Sequence, residues 1–422
     1  MTTYWAPLLH IYQPPTQEID VLRRINEECY VPLFSVLEVH ENAKFCLNIN
    51  GVLIELLREY GMGDTMERLK NLVSLRKVEI LGTGKFHPIL PLIPREEVAR
   101  QIQMNEAINQ KEFQNYWKPR GFFPPEMAIS SDIINILGEF GYKWVIMSGI
   151  ACPTDQKNIE WPYDKIYKSH NGMYLFFRDD ILSNKIAFKK FTAKEFVKTL
   201  GEIHTEDQNN KNSKYIITAM DGETFGHHIA NYETKFLEKT LELVEEDPKI
   251  EITFISDLPN IFPTDKEKIN PRNSSWSTSY DDLKENVPYP LWKHPDNNIH
   301  KYYWKIFKNL NRLLQIASKI NLSLDWQIEN YYNTARWFYD RGIHSCPPWW
   351  ANIERGMWSP NLIYKGVELL IRASLNIQLA LVHAHVEKGE AYFDSISYYH
   401  GLLLMELYNN TKHYLKKKGS RK

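Results

Sequence analysis

Cysteine is scarce and unpatterned: Cys29, Cys46, Cys152 and Cys346 stand far apart, and no CxxC pair occurs. That excludes a disulfide framework and supplies no thiolate set for a structural zinc. An excess of one charge is missing as well. Lys and Arg number 51 against 52 Asp and Glu, a formal net charge of −1. Nothing electrostatic therefore points to nucleic acid or an anionic membrane as partner. The one basic run (Lys416, Lys417, Lys418, Arg421, Lys422) reads as a solvated terminus. The most apolar long stretch, residues 369–386, is broken by Arg372, Asn376, Gln378, His383 and His385, so it reads as a bundle helix and not a membrane span. MTTYWAPLLHIYQPP has no basic residue ahead of its apolar run. It does not read as a signal peptide, and a cytoplasmic location is expected. Gly-rich dinucleotide and phosphate loops, HExxH, HxxxH and GxSxG are all absent.

What is present is an ordinary globular composition, 43% hydrophobic and 24% charged, with a surplus of rings: 12 Trp, 24 Tyr and 19 Phe. Such a surplus suits a cleft that stacks flat ring faces against sugars, although packing alone consumes many of them. Over the first 265 residues, short apolar runs alternate with amphipathic helical patterns. Strands are expected at residues 4–9, 45–47, 78–81, 121–123, 144–147, 174–177, 215–219 and 252–255. Helices are clearest at 95–116, 131–140, 193–204 and 233–245. Repeated βα units predict a parallel sheet closed or nearly closed into a barrel. Residues 266–299 form a loop-rich connector, rich in proline and carrying Trp276 and Trp292, that is expected to contribute to the cleft. Residues 300–422 read as a helical domain packed on the barrel.

In a parallel barrel the chemistry gathers where strands end. His10 and Gln13 follow the first strand, Asn48 and Asn50 the second, His87 the third and Glu126 the fourth. The strand at 215–219 leads into DGETFGHH, with Asp221, Glu223, His227 and His228. Glu126 and Asp221 stand out. Two prolines stiffen the turn before the first, and a Gly-containing loop opens with the second. Two acids on different strand ends suit glycoside hydrolysis; N-capping and ion pairing are the plainer alternatives. Spacing along the chain leaves retaining and inverting chemistry both open. Asn48 and Asn50 read as turn chemistry ahead of a helix near Gly51, and Arg178–Asp179 as a structural ion pair. Glu223 reads as orienting the catalytic loop.

At these positions the sequence resembles glycoside hydrolase family 57, whose members act on α-glucans, over nearly the whole chain. HIYQP matches the first motif at His10, Gln13 and Pro14, with Tyr12 in place of a second histidine. GTGKFHPILPL resembles the second motif with His87. FPPE resembles the third, giving Glu126 with Phe123 in a tryptophan's place. DGETFGHH matches the fourth with Asp221. SSWSTS and SCPPWWA look like cleft-completing segments bearing Trp276, Trp349 and Trp350. The resemblance implies an α/β fold, an incomplete (β/α)7 TIM-like barrel followed by a C-terminal helical bundle. It also implies a retaining mechanism with Glu126 as nucleophile and Asp221 as general acid/base, with no metal and no cofactor. His10, Gln13, His87, Phe123, His227, Trp276, Trp349 and Trp350 are the expected substrate contacts. For Trp349 and Trp350 a plug between bundle and barrel is the alternative. Phe123 and His228, where many relatives carry larger or aromatic groups, thin the stacking surface. The activity expected is α-amylase-type hydrolysis of α-glucan or maltooligosaccharide. The alternatives are a 4-α-glucanotransferase, a catalytically silent glucan-binding protein and a metal-dependent deacetylase.

Overall fold

A computed structural model describes residues 1–156, 159–203 and 212–419. The expected helix end at His204 and the tail residues Arg421 and Lys422 lie outside the described residues. The chain divides into two compact units, residues 1–85 with 89–278, and residues 86–88 with 279–422. The stretch 266–299 is thus shared, its first part belonging to one unit and the rest to the other.

Among the described residues the first unit has ten strands: β1 (Thr3–Ile11), β2 (Phe45–Ile49), β3 (Val78–Ile80), β4 (Gly121–Phe122), β5 (Trp144–Met147), β6 (Ile166–Lys168), β7 (Tyr174–Phe177), β8 (Lys214–Asp221), β9 (Ile250–Ile252) and β10 (Thr264–Lys268). β8, β1, β2 and β3 are parallel neighbours, and so are β4, β5 and β7. A parallel bridge between Gly82 and Phe122 joins β3 to β4. On the other side the Asp179 amide donates to Ile217 O at 2.8 Å, joining the end of β7 to β8. The result is a ring of parallel strands with two thin joints, the incomplete TIM-like barrel. β9 lies beside the first three residues of β1. β6, antiparallel to β7 with β10 beside it, forms a ribbon that the sequence pattern does not predict.

Side chains on a strand alternate in period two. Ala6 and Leu8 of β1, Cys46 of β2, Trp144 and Ile146 of β5, Phe176 of β7, and Tyr215, Ile217 and Ala219 of β8 belong to one buried cluster filling the barrel. Trp5, between two of these, points the other way, packing edge-on to Phe196 of the helix Ala193–Glu202 at 5.3 Å. Counting on in twos from the barrel filling reaches His10, Asn48 and Asp221. The alternation that builds the core therefore delivers three polar residues to its upper end.

The second unit is helical, with main helices Asn298–Ala317, Trp326–Gly342, Pro360–His383 and Glu390–Gly419. Asn297 and Asp325 cap the first two, accepting from His300 N and Gln327 N at 3.1 and 2.9 Å. Ile306, Leu310, Ala335, Tyr339, Ala373 and Ile377 are buried in it. A two-residue hairpin pairs Ala351–Asn352 with Met357–Trp358. Among the described residues no helix is long and apolar enough to cross a membrane.

Candidate active site

The register of β1 brings the first polar group together. His10 lies opposite Asn48 on one side and Asp221 on the other. Its Nδ1 is 2.5 Å from Asn48 Oδ1. An amide oxygen can only accept, so Nδ1 is the donor in this bond. Burial pulls the imidazole's proton affinity down, while Asp221 and the Asn48 bond hold it up. Asn48 was expected as turn chemistry; instead it fixes a histidine. Asn50 precedes the helix Gly51–Glu59 without capping it and donates to Gly84 O at 2.6 Å.

Glu126 is presented by an unusual turn. It has φ +59°, and Met127 after it has φ +48°. Side chains in the left-handed region are strained by about 1–3 kcal/mol each, so the surroundings must enforce the shape. Met127 N donates to Pro124 O at 2.7 Å and Ala128 N to Pro125 O at 3.0 Å. The segment carrying Trp276 then closes over the turn. Ile129 N donates to Ser274 O at 2.9 Å, Trp276 N donates to Glu126 O at 3.1 Å, and the indole N–H donates to Glu126 Oε2 at 2.8 Å.

Trp276 is also where the two carboxylates' surroundings meet. Its ring centroid lies 5.9 Å from both His10 and Phe123, in edge contact. The Arg178 guanidinium carbon lies 5.4 Å over it. Arg178 is buried and three-ways held: Nε to Asp180 at 2.6 Å, one terminal nitrogen to Ala219 O at 2.8 Å, the other to Asn184 at 3.2 Å. Its ion-pair partner is Asp180; the expected partner, Asp179, instead caps the helix Asp180–Ala187 through Leu182 N at 2.8 Å. Burial raises the Asp221 carboxyl, with His10 and Arg178 opposing. Phe123 is fully buried and stacked on His10 at 4.8 Å. It is a support beneath the site, and its ring offers no open platform.

The remaining expected contacts are placed as follows. Gln13 donates to Glu223 Oε1 at 3.2 Å. His227 is bound to Glu28 at 2.9 Å, and its ring contact is with His228. His87 belongs to the second unit, with φ +57° and its Nδ1 2.8 Å from Ser345 Oγ. Trp349 and Trp350, in the same unit, pack edge to face at 4.7 Å. Asn48 and Arg178 are the members that motif reading misses. Counting in twos along β2 would have found the first. Among the described residues no three His, Cys, Asp or Glu side chains gather as a metal ligand set would require.

A family model, Glycosyl hydrolase family 57, matches residues 4–272. The chain belongs to this family. Among curated relatives, an alpha-amylase of Pyrococcus horikoshii is 27% identical over 258 residues, 59% of this chain and 39% of its own length. A 4-alpha-glucanotransferase of Thermococcus kodakarensis is 26% identical over 260 residues, 59% and 38%. The chain therefore spans well under half the length of these relatives. Among solved structures, a family 57 branching enzyme of Pyrococcus horikoshii superposes with a TM-score of 0.74 at 15% identity, covering 96% of this chain and 97% of that one. The 4-alpha-glucanotransferase of Thermococcus litoralis gives a TM-score of 0.67 at 18% identity, covering 88% and 60%. These likenesses bear out the barrel and the helical C-terminal region.

Proposed function

We propose that this family 57 chain is a retaining glycosidase acting on α-1,4-glucan or maltooligosaccharide, with its first unit carrying the chemistry. One observation carries the reading: a single indole, Trp276, holds one carboxylate and touches both groups that flank the other. In this scheme Glu126 attacks the anomeric carbon while Asp221 protonates the departing oxygen. Asp221 then takes a proton from the water or sugar hydroxyl that resolves the glycosyl-enzyme. The environments differ in the required sense. The indole donor orients the Glu126 carboxylate, whereas burial favours the protonated form of Asp221. His10, held through Nδ1 by Asn48 beside Asp221, is a candidate partner of a sugar hydroxyl. His87, Trp349 and Trp350 stand as candidate sugar contacts in the second unit.

Because the relatives include 4-alpha-glucanotransferases, transfer to a sugar hydroxyl is the second reading with the same two acids. Incubation with maltoheptaose beside the Glu126→Gln variant, resolving products by length, separates them. Shorter sugars alone, absent with the variant, support hydrolysis; longer and shorter sugars together support transfer. Sugar left intact by the parent protein overturns the reading and returns the chain to silent binding.

A further inference from the structure

The last helix of the second unit, Glu390–Gly419, has one face that packing explains and one that it does not. On the inner face Ile396, Leu403 and Leu407 are buried, and the helix packs along Asn298–Ala317. Asn309 Nδ2 donates to Ser395 Oγ at 3.0 Å, and the Tyr302 and Tyr399 rings stack at 6.1 Å. One such seam is enough to hold a bundle helix. This helix carries a second. Tyr398, Met405, Tyr408 and Leu415 are 63%, 62%, 72% and 62% exposed. At about 100° per residue they fall on the side away from Leu403. Residues 402–408 read LLLMELY, so the middle of the helix is apolar on almost every side. A helix apolar all round is ordinarily covered all round.

The outer stripe has the spacing of a coiled coil. From Asp394 through Tyr398, Gly401, Met405 and Tyr408 to Lys412, steps of four and three alternate, and all six residues are exposed. These are the a and d positions of a heptad repeat, with Ala391 and Leu415 extending them by one step at either end. When two such helices lie antiparallel, each a position layers against a d position. In one register this stripe complements itself. Tyr398 of one copy lies across from Tyr408 of the other, Gly401 from Met405, and Asp394 from Lys412. Ring meets ring, a bulky side chain meets an absent one, and acid meets base. A slip of one heptad sets Met405 against Asp394 or Lys412 against Gly401, and the charge pair is lost. A parallel pair sets Asp394 against Asp394 and Lys412 against Lys412.

We propose that the outer face of Glu390–Gly419 is a dimer interface, on which the same helix of a second copy of this chain lies antiparallel about a two-fold axis level with Leu403. Such a contact is isologous, so every pair off the axis is made twice. Its size suffices. At roughly 150–200 Å² for each whole side chain, the four large exposed residues offer about 400–500 Å² per copy. Two copies then cover about 800–1,000 Å² before the half-buried Leu402 and Leu404 on the flanks are added, which reaches what a specific interface needs. The Asp394–Lys412 layers set register and direction, as a polar layer in an apolar seam does. A lipid surface is the poorer occupant, because the stripe presents Asp394 one turn from Tyr398.

Sedimentation velocity of the full chain over a range of micromolar concentrations tests this without reference to turnover. The parent protein should sediment as a concentration-dependent dimer. Met405→Glu sets a charge from each copy into the centre of the seam and should weaken association by about a hundredfold or more. Asp394→Lys and Lys412→Asp each turn both polar layers into like-charge pairs and should each weaken it about tenfold. The chain carrying both exchanges should return to within about threefold of the parent. All these positions are exposed, so circular dichroism should not change; should Met405→Glu fail to fold, the exchanges decide alone. A parent protein that stays monomeric throughout overturns the proposal, and so does a dimer that folded Met405→Glu leaves intact. Single exchanges that cost nothing, or a double exchange that restores nothing, overturn the antiparallel register and the proposal with it. A monomer that floats with vesicles of phosphatidylcholine and phosphatidylglycerol, and ceases to with Met405→Glu, gives the face to a lipid surface instead.

Discussion

Trp276→Phe isolates the indole N–H. A phenyl ring keeps most of the contact with Phe123 and His10 and a face for Arg178, but nothing then donates to Glu126 Oε2 from that side. A hydrogen bond to a charged acceptor contributes roughly 1.5–3 kcal/mol, and Trp276 is only partly buried, so the lower half of that range applies. At about 1.4 kcal/mol per decade, kcat/KM should fall about 10- to 40-fold. The turn itself stays, because its backbone bonds and the prolines before Glu126 are untouched, and the melting temperature should fall by no more than about 2 °C. Reducing-end release from maltoheptaose, beside a thermal melt, measures both. The cycle with Glu126→Gln sharpens the result, since in that background the second change should cost almost nothing. A variant within threefold of the parent, or one whose rate falls only as fast as its folded fraction, would refute the claim that the indole positions the nucleophile.

Glu126→Gln and Asp221→Asn should each lower turnover by about a thousandfold or more with circular dichroism unchanged; a few-fold loss at either would sink the assignment. His344 should make the protein acid-sensitive. It is buried, neither ring nitrogen has a partner among the described residues, and burial lowers its pKa to about 3. The unfolded chain then binds the extra proton below about 6.5, so stability falls with falling pH, by roughly 2 kcal/mol between pH 6 and 4.5 from this group. His344→Gln should flatten the urea midpoint over that interval, and an unaltered slope would contradict the account. Gly226→Ala should leave little folded protein. The site has φ +120° and its added Cβ would run into the Glu28 carbonyl oxygen, so normal expression and melting would show that the loop yields more easily than its packing implies.

The parts of the molecule legible in sequence are those governed by local pattern. β5 and β7 are read to the residue, since strands buried on both faces appear as unbroken apolar runs. β6 escapes: it has three residues, lies close after Trp161 and Pro162, and runs antiparallel to its neighbour. Glu126 and Asp221 are visible through the turns that present them. Asn48 is hidden because an amide before Asn50-Gly51 looks like turn chemistry, and only the strand register shows it facing His10. Trp276 is conspicuous in its Ser-rich loop, but its bond to a carboxylate 150 positions away is a product of folding that no local pattern encodes.

That separation of 150 residues also fixes an order of assembly in time. During synthesis the chain emerges with Glu126 first, Asp221 next and Trp276 last. At about 5–20 residues per second, roughly 8 to 30 s pass between Glu126 leaving the peptidyl-transfer centre and Trp276 doing so. For that interval the twin left-handed residues of the 126–127 turn lack the indole and backbone bonds that lock them. A nascent barrel can thus collapse around its filling before it is armed, and a carboxylate made early is set to its task by the chain's later arrival.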